Sequence, residues 1–290
     1  MSPENVPCRV AILCCDGLYQ RYLIQRAAAA FTLVGVVLHR PVDPGRTLAA
    51  RLRRYLHPLT LLRHLQARYL MRGYQRQAAP LVRELFYPDG QPPLIPVRIP
   101  VVSVANVNDP AAVDLVRGWA PDIVLVNGTN LLRQPMLDLI PDIPLGIINL
   151  HTGLSPYARG GNCNLYVLLQ GHPEWVGITV HHIDPGIDSG DLIITARPEL
   201  EPGDNYEMID AKTFRLGIDR LLDAVTQLRQ GRAARVRQWE EGQLFLRRTG
   251  YVYAPWQRVQ VNRLLADGLI GDYLAQQTSR DAEVRLVGNG

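Results

Sequence analysis

The sequence predicts an α/β fold: a mostly parallel, twisted sheet with helices on both of its faces. Three observations carry that expectation. Short runs rich in β-branched residues recur at residues 9–15 (RVAILCC), 31–38 (FTLVGVVL), 123–126 and 146–150. They are apolar at successive positions, as strands buried on both faces are. Helix-period stretches separate several of them, and a strand–helix–strand rhythm builds parallel sheets. Finally, polar loops follow the runs at 123–126 and 146–150, where open α/β sheets hold their ligands.

Taken in order, residues 9–15 form the first strand, ended by the turn-prone pair Asp16-Gly17. Residues 18–30 read as a helix and residues 31–38 as the second strand. Between residues 41 and 99 the rhythm gives way to a helical insertion of two or three helices. Nine arginines lie from Arg46 to Arg83, with Asp43 as the one acid before Glu84. The plain reading is a solvated helical face. The sharper readings are a surface for an anionic partner or substrate, or a membrane-facing patch. Residues 88–100 (PDGQPPLIPVRIP) read as an extended connector. A strand at 101–104, a helix at 109–117 and strands at 123–126 and 146–150 follow. Strands at 177–183 and 192–194 flank a polar loop, residues 205–228 form a long helix, and an aromatic β-like region precedes a helix at 261–274. We therefore expect an α/β domain over residues 1–230 and a small extension over residues 231–290.

Bulk properties exclude several classes. The chain has 290 residues, 47% of them hydrophobic, which suffices for a full core and argues against disorder. A net charge of +4 is compatible with an anionic substrate and modest for a nucleic-acid binder. The single lysine, Lys212, falls on an amphipathic helix where solvent exposure is expected, and this disfavours Schiff-base chemistry. Cys8, Cys14, Cys15 and Cys163 show no metal or CxxC spacing and fit free thiols in a reducing cytoplasm. No uncharged apolar stretch approaches the ~20 residues of a membrane span, and residues 9–15 are too short for a signal-peptide core. A cytoplasmic location is expected.

The segment NLHTGLSPYARGG, Asn149 to Gly161, carries the most chemical information. In extended backbone Asn149 and His151 point to one side and Leu150 to the other. A second loop contains Gly186-Ile187-Asp188-Ser189-Gly190, whose glycines permit a tight path around Asp188. An amide, an imidazole and a carboxylate suit acyl transfer. Asn149 and a protonated His151 would donate to a carbonyl oxygen as it gains negative charge. Asp188 would orient His151, favour its charged form, or take a proton from an attacking amine. Singly, each has an ordinary reading: Asn149 as a turn cap, His151 as a structural hydrogen-bonder, Asp188 as a turn residue. A metal site built from His151, His181, His182 and Asp184 or Asp188 is disfavoured, because His181 and His182 on one strand face opposite ways. Ser155 lacks a nucleophile elbow and Cys163 an activating base. Gly153, Gly160 and Gly161 form neither a dinucleotide fingerprint nor a P-loop.

Asn149-x-His151 is followed by Leu154-Ser155-Pro156-x-x-Arg159-Gly160. Then come Gly177-Ile178-Thr179-Val180-His181, Asp184, and Gly186-Ile187-Asp188-Ser189-Gly190-Asp191. This pattern resembles the folate-dependent formyltransferases, which include methionyl-tRNA, glycinamide ribonucleotide and sugar-amine formyltransferases. The resemblance is clearest over residues 101–230, with a first βαβ unit at residues 9–38. It implies a Rossmann-like core, 10-formyltetrahydrofolate as donor and a primary amine as acceptor. The family's asparagine, histidine and aspartate fall on Asn149, His151 and Asp188. The pterin and formyl group would lie against Asn127, Gly128, Thr129 and Asn130, with the main chain near Ile187 and Gly190. The arginine-rich insertion is longer than a minimal version of the fold needs. The tail after Gln230 is short for the barrel domain of typical methionyl-tRNA formyltransferases. We therefore expect a small-molecule amine, such as a nucleotide-linked amino sugar or an amino-acid-like amine, in preference to tRNA or other nucleic acid. No metal and no membrane partner are expected, and oligomeric state stays open. The alternatives are a tRNA acceptor, attack by water as in formyltetrahydrofolate hydrolases (which carry an extra N-terminal domain not apparent here), and a non-catalytic binding protein that keeps the fold.

Overall fold

The apolar runs become strands that are hidden on both sides. β1 (Arg9–Cys15) is fully buried from Val10 to Cys14, and β4 (Ile123–Asn127) is buried throughout. In a computed structural model, which describes residues 7–41 and 58–288, they lie at the centre of a seven-stranded sheet. β2 (Thr32–His39) and β3 (Val101–Val104) extend it on one side. β5 (Ile147–His151), β7 (Ile178–His182) and β8 (Leu192–Ala196) extend it on the other, giving the order β3-β2-β1-β4-β5-β7-β8. A short β6 (Ala158–Gly160) stands apart.

From β3 across to β5 every pairing is parallel, as expected. β7 runs antiparallel to both β5 and β8. The loop joining β7 to β8 is too short for the crossover that a parallel pair requires, so the chain turns straight back.

Alternation along the strands separates two apolar layers. Ile12, Leu125 and Ile148 pack with Leu23 of α1 (Leu18–Ala30), Phe86 of α2 (Pro58–Phe86) and Leu221 of a long helix, Tyr206–Arg229. Leu13, Val124 and Val126 pack on the opposite face with Val113 of α3 (Pro110–Trp119) and Met136 of α4 (Gln134–Leu137). After α5 (Cys163–Leu169), the long helix is α6; its cap, Asn205, accepts from Met208 N–H at 3.0 Å and donates to the Tyr74 carbonyl of α2 at 3.1 Å.

The C-terminal residues build a third apolar cluster with α5. It contains Tyr166, Phe245 of β9 (Gln243–Phe245), Val261 of α7 (Pro255–Ala266) and Tyr273 of α8 (Leu269–Ala275). The short α9 (Gln277–Asp281) follows. β9 pairs with β6, and Val287 N–H donates to Thr195 Oγ1 of β8 at 2.7 Å. The segment after residue 230 is thus tied to α5, β6 and β8.

Two local expectations are corrected, and a third falls partly outside the described residues. The described part of the insertion holds one 29-residue helix, α2, which accommodates Pro80; the remainder of the two or three helices expected over residues 41–99 falls on residues 42–57, which lie outside the described residues. The helix expected over 261–274 is divided at Gly268, whose φ of +105° belongs to the left-handed region that glycine tolerates. Lys212 is no solvent lysine: its side chain is 16% exposed, and Nζ lies 2.9 Å from both Glu201 and Asp204. Asp204 is itself buried, and a buried carboxylate calls for a cation.

Candidate active site

The carboxyl ends of β1, β4 and β5 lie together. Cys14 is in register with Asn127, and Val126 with Asn149. Strand alternation then does what the sequence indicates. Leu150 is buried against α6, while Asn149 and His151 project into a crevice of about 460 Å³ that Gly128, Ile187, Asp188 and Phe214 also line.

Asp188 reaches the two β5 side chains from the β7–β8 loop. Its Oδ2 lies 3.5 Å from His151 Nδ1 and accepts from Gly160 N–H at 3.0 Å. Its Oδ1 accepts from Asn149 Nδ2 at 3.3 Å and lies 3.5 Å from His181 Nε2. The residue sits at φ +46°, a left-handed conformation that aspartate tolerates better than most residues. The Gln238 amide fixes it there by donating to the carbonyls of Asp188 at 2.8 Å and Gly190 at 3.0 Å.

The partners define the protonation pattern. His151 Nε2 faces the Ala158 carbonyl at 3.1 Å and so donates to it. Burial holds the His151 imidazole below its usual value, and the Asp188 carboxylate opposes this without overcoming it. Burial would raise Asp188, but His151, His181 and the Gly160 N–H outweigh it and hold the carboxyl well below the usual range. At neutral pH the site therefore pairs a carboxylate with a mainly neutral imidazole, whereas the sequence reading had the ring charged. The 3.5 Å separation is too long for a hydrogen bond that would repay desolvating the cation.

Asn149 has its own constraint. His181 Nδ1 lies 2.8 Å from the His182 carbonyl and donates to it, so His181 Nε2 accepts from Asn149 Nδ2 at 3.1 Å. Both amide hydrogens of Asn149 thus already face acceptors, Asp188 and His181. Donation to a third oxygen requires release of one of them.

The expected ligand-loop residues divide by role. Asn127, Gly128, Thr129, Asn130 and Ile187 line the crevice; Gly190 does not. A Cβ at Gly190 would lie 1.8 Å from the His182 carbonyl oxygen, so glycine is needed there for loop closure. Asn127 accepts from Gln20 at 2.6 Å and donates to the Leu150 carbonyl at 2.8 Å, strapping β4 to β5. Asn130 donates to Asn106 Oδ1 at 2.8 Å and accepts from Val107 N–H at 3.1 Å. Their side chains are committed to the scaffold, and residues 128–130 line the crevice.

His181, Gln20, Gln238 and Gly160 are the site residues that sequence reasoning did not assign. His181 and Gly160 left traces, as both fall within the motifs that carry the resemblance. Cys163 Sγ lies 3.5 Å from His151 Nε2, but burial raises its thiol well above the usual value and keeps it neutral. Among the described residues no cluster of three or more His, Cys, Asp or Glu could hold a metal ion.

Gly153 is crowded by the site itself. A Cβ there would meet His151 Nε2 at 2.4 Å, Cys163 Cβ at 2.6 Å and the Ala158 carbonyl oxygen at 2.9 Å. Gly153→Ala is expected to displace the imidazole and destabilise the protein by about 1–3 kcal/mol through overpacking. An unchanged urea midpoint would contradict the crowding.

A family model described as formyl transferase matches residues 77–225. The chain belongs to the formyl transferase family. The match includes Asn127, Asn149, His151 and Asp188 and thus the whole crevice edge from β4 to the β7–β8 loop. Methionyl-tRNA formyltransferase of Syntrophus aciditrophicus is 31% identical over 139 residues, covering 48% of this chain and 43% of that protein. The protein of the same name from Geotalea daltonii is 32% identical over 141 residues, covering 48% and 44%. The matched stretch is thus less than half the length of these curated relatives. Among solved structures, glycinamide ribonucleotide transformylase 1 of Symbiobacterium toebii superposes with a TM-score of 0.53 at 21% identity, covering 83% of this chain and 100% of that one. A 4-N formyltransferase of Francisella tularensis gives 0.50 at 16% identity, covering 82% and 75%. At these identities the formyl transferase fold is what the superpositions establish.

Proposed function

We propose that the protein transfers a formyl group from 10-formyltetrahydrofolate to the primary amine of a small molecule. The observation that supports this most is the meeting of Asn149, His151 and Asp188 at one crevice edge. The donor supplies an electrophilic formyl carbon. Main-chain groups of residues 128–130 and Ile187 offer the surface against which it would be held. As the acceptor amine attacks, the formyl oxygen gains negative charge, and an Asn149 hydrogen released from Asp188 or His181 stabilises it. Neutral His151 takes the proton from the attacking nitrogen and returns it to the departing folate nitrogen, while Asp188 stabilises the ring when it is charged. Asp188 is held too acidic to be the better base.

A small acceptor agrees with the mild net charge of +4. The relatives named for tRNA are matched over less than half their length. A cytoplasmic setting agrees with the free state of Cys8, Cys14, Cys15 and Cys163. The test is incubation with 10-formyltetrahydrofolate and, in parallel, amino sugars, nucleotide-linked amino sugars, amino acids, methionyl-tRNA or no acceptor. The expected result is formyl mass gain on a small amine with matching folate release. Full folate turnover without any amine would indicate hydrolysis, formylated tRNA alone would reassign the acceptor, and no folate product under any condition would defeat the reading.

A further inference from the structure

Helix α2 has two apolar faces, and among the described residues only one is covered. Ala67, Ala78 and Phe86 are buried on the inner face, where the helix packs on α6 and α7. Leu62, Leu65 and Tyr69 follow one another at helical spacing and are 62%, 53% and 77% exposed. At about 100° per residue, this second stripe lies about 170° around the axis from Ala67 and Ala78. It faces away from the other described elements. Arg72 and Arg76 continue the same line toward the helix C-terminus, Arg68 flanks it, and all three are exposed. The helix contains no acid before Glu84.

The charge pattern selects among occupants. Two copies of this face would bring arginines against arginines with no carboxylate to pair them. Residues 42–57 add Arg46, Arg51, Arg53 and Arg54 against Asp43 alone, so that segment cannot neutralise the face either. A nucleic acid would satisfy the guanidinium groups but leave the leucines and the tyrosine in water. A bilayer bearing anionic headgroups satisfies both parts: apolar side chains enter the acyl boundary while arginines meet phosphates. No described helix is long and apolar enough to cross a membrane, so this one would lie in the interface plane. The expectation of no membrane partner rested on the lack of a spanning stretch, and an interfacial helix needs none.

We propose that the outer face of α2, centred on Leu62, Leu65 and Tyr69 and flanked by Arg68, Arg72 and Arg76, docks the protein on an anionic membrane surface. This stands apart from the chemistry proposed above, because it uses no residue of the crevice.

The experiment is flotation of the full chain with vesicles of phosphatidylcholine alone or mixed with phosphatidylglycerol, at low and high salt. Binding to the mixed vesicles is expected to be at least ~10-fold stronger than to phosphatidylcholine alone, and to weaken with salt. The L62E/L65E double variant should lose at least ~10-fold of that binding while its circular dichroism and melting temperature stay unchanged, since both side chains are already in solvent. Arg68→Gln with Arg72→Gln should remove the preference for the anionic lipid. The proposal is overturned by failure to bind the mixed vesicles, by equal binding to both compositions, or by L62E/L65E floating like the parent. It is equally overturned if the parent is a dimer that L62E/L65E dissociates without any lipid effect, or if it prefers RNA to vesicles.

Discussion

Asn149→Ala is expected to lower turnover by at least ~100-fold with the fold intact, since loss of one oxyanion donor costs about 2.7–4 kcal/mol of transition-state stabilisation. The side chain is half-buried at the end of β5, and truncation opens no core cavity because it faces the crevice. Its partners in the resting arrangement, Asp188 and His181, keep other contacts: Asp188 retains the Gly160 N–H and His181 the His182 carbonyl. The loss should therefore appear in kcat more than in KM. A folded Asn149→Ala protein with near-normal kcat would remove the amide from the chemistry and leave it as a brace for Asp188.

Asp188→Asn is the second large effect. The substitution keeps size and an acceptor for Gly160 N–H but removes the charge that raises His151 against its burial. Without that anion the imidazolium loses its stabilising partner, so the His151 value falls further. With the neutral ring as base, turnover drops on the acid side as the ring protonates, and in Asp188→Asn this acid limb should move to lower pH. The plateau should also fall by roughly 100-fold or more, because the charged ring formed during reaction loses its counter-ion. An acid limb that stays in place would show that another group controls it. A stability signature accompanies the kinetic one. The folded carboxyl is depressed, so Asp188 contributes stability fully above the unfolded carboxylate value of about 3.9, and the contribution disappears as pH falls through the lower, folded value. The gap in urea midpoint between parent and Asp188→Asn should accordingly be larger at pH 7 than under strongly acidic conditions.

Features set by local rules were legible in the sequence. β1, β2, β4 and β5 announce themselves by unbroken apolar runs, and alternation alone puts Asn149 and His151 on one side with Leu150 in the core. Features set by pairing at a distance were not. The direction of β7 depends on which strand it meets, so the antiparallel end of the sheet was invisible until Asn149 was found opposite His181. Gln238 lies 50 residues from Asp188, in a stretch without a chemical motif, yet it holds the carboxylate's backbone. Lys212 looked solvent-facing because the buried Asp204 it neutralises precedes the helix and shares no periodicity with it. Gly190 was placed at the ligand loop by the family resemblance, and the packing reason for glycine there, the His182 carbonyl against its Cα, left no sign in the sequence.

The pairing of β6 with β9 bears on where the chain can be cut. Gly160, whose N–H grips Asp188, packs so closely that a Cβ would lie 2.5 Å from the Phe245 carbonyl oxygen, and Gly161 N–H donates to that same oxygen at 2.9 Å. Gln238 and Phe245 both fall beyond residue 225, where the family match stops. A chain cut after residue 225 would keep Asn149, His151 and Asp188, the groups assigned to the proposed chemistry, and lose the splint that aims Asp188.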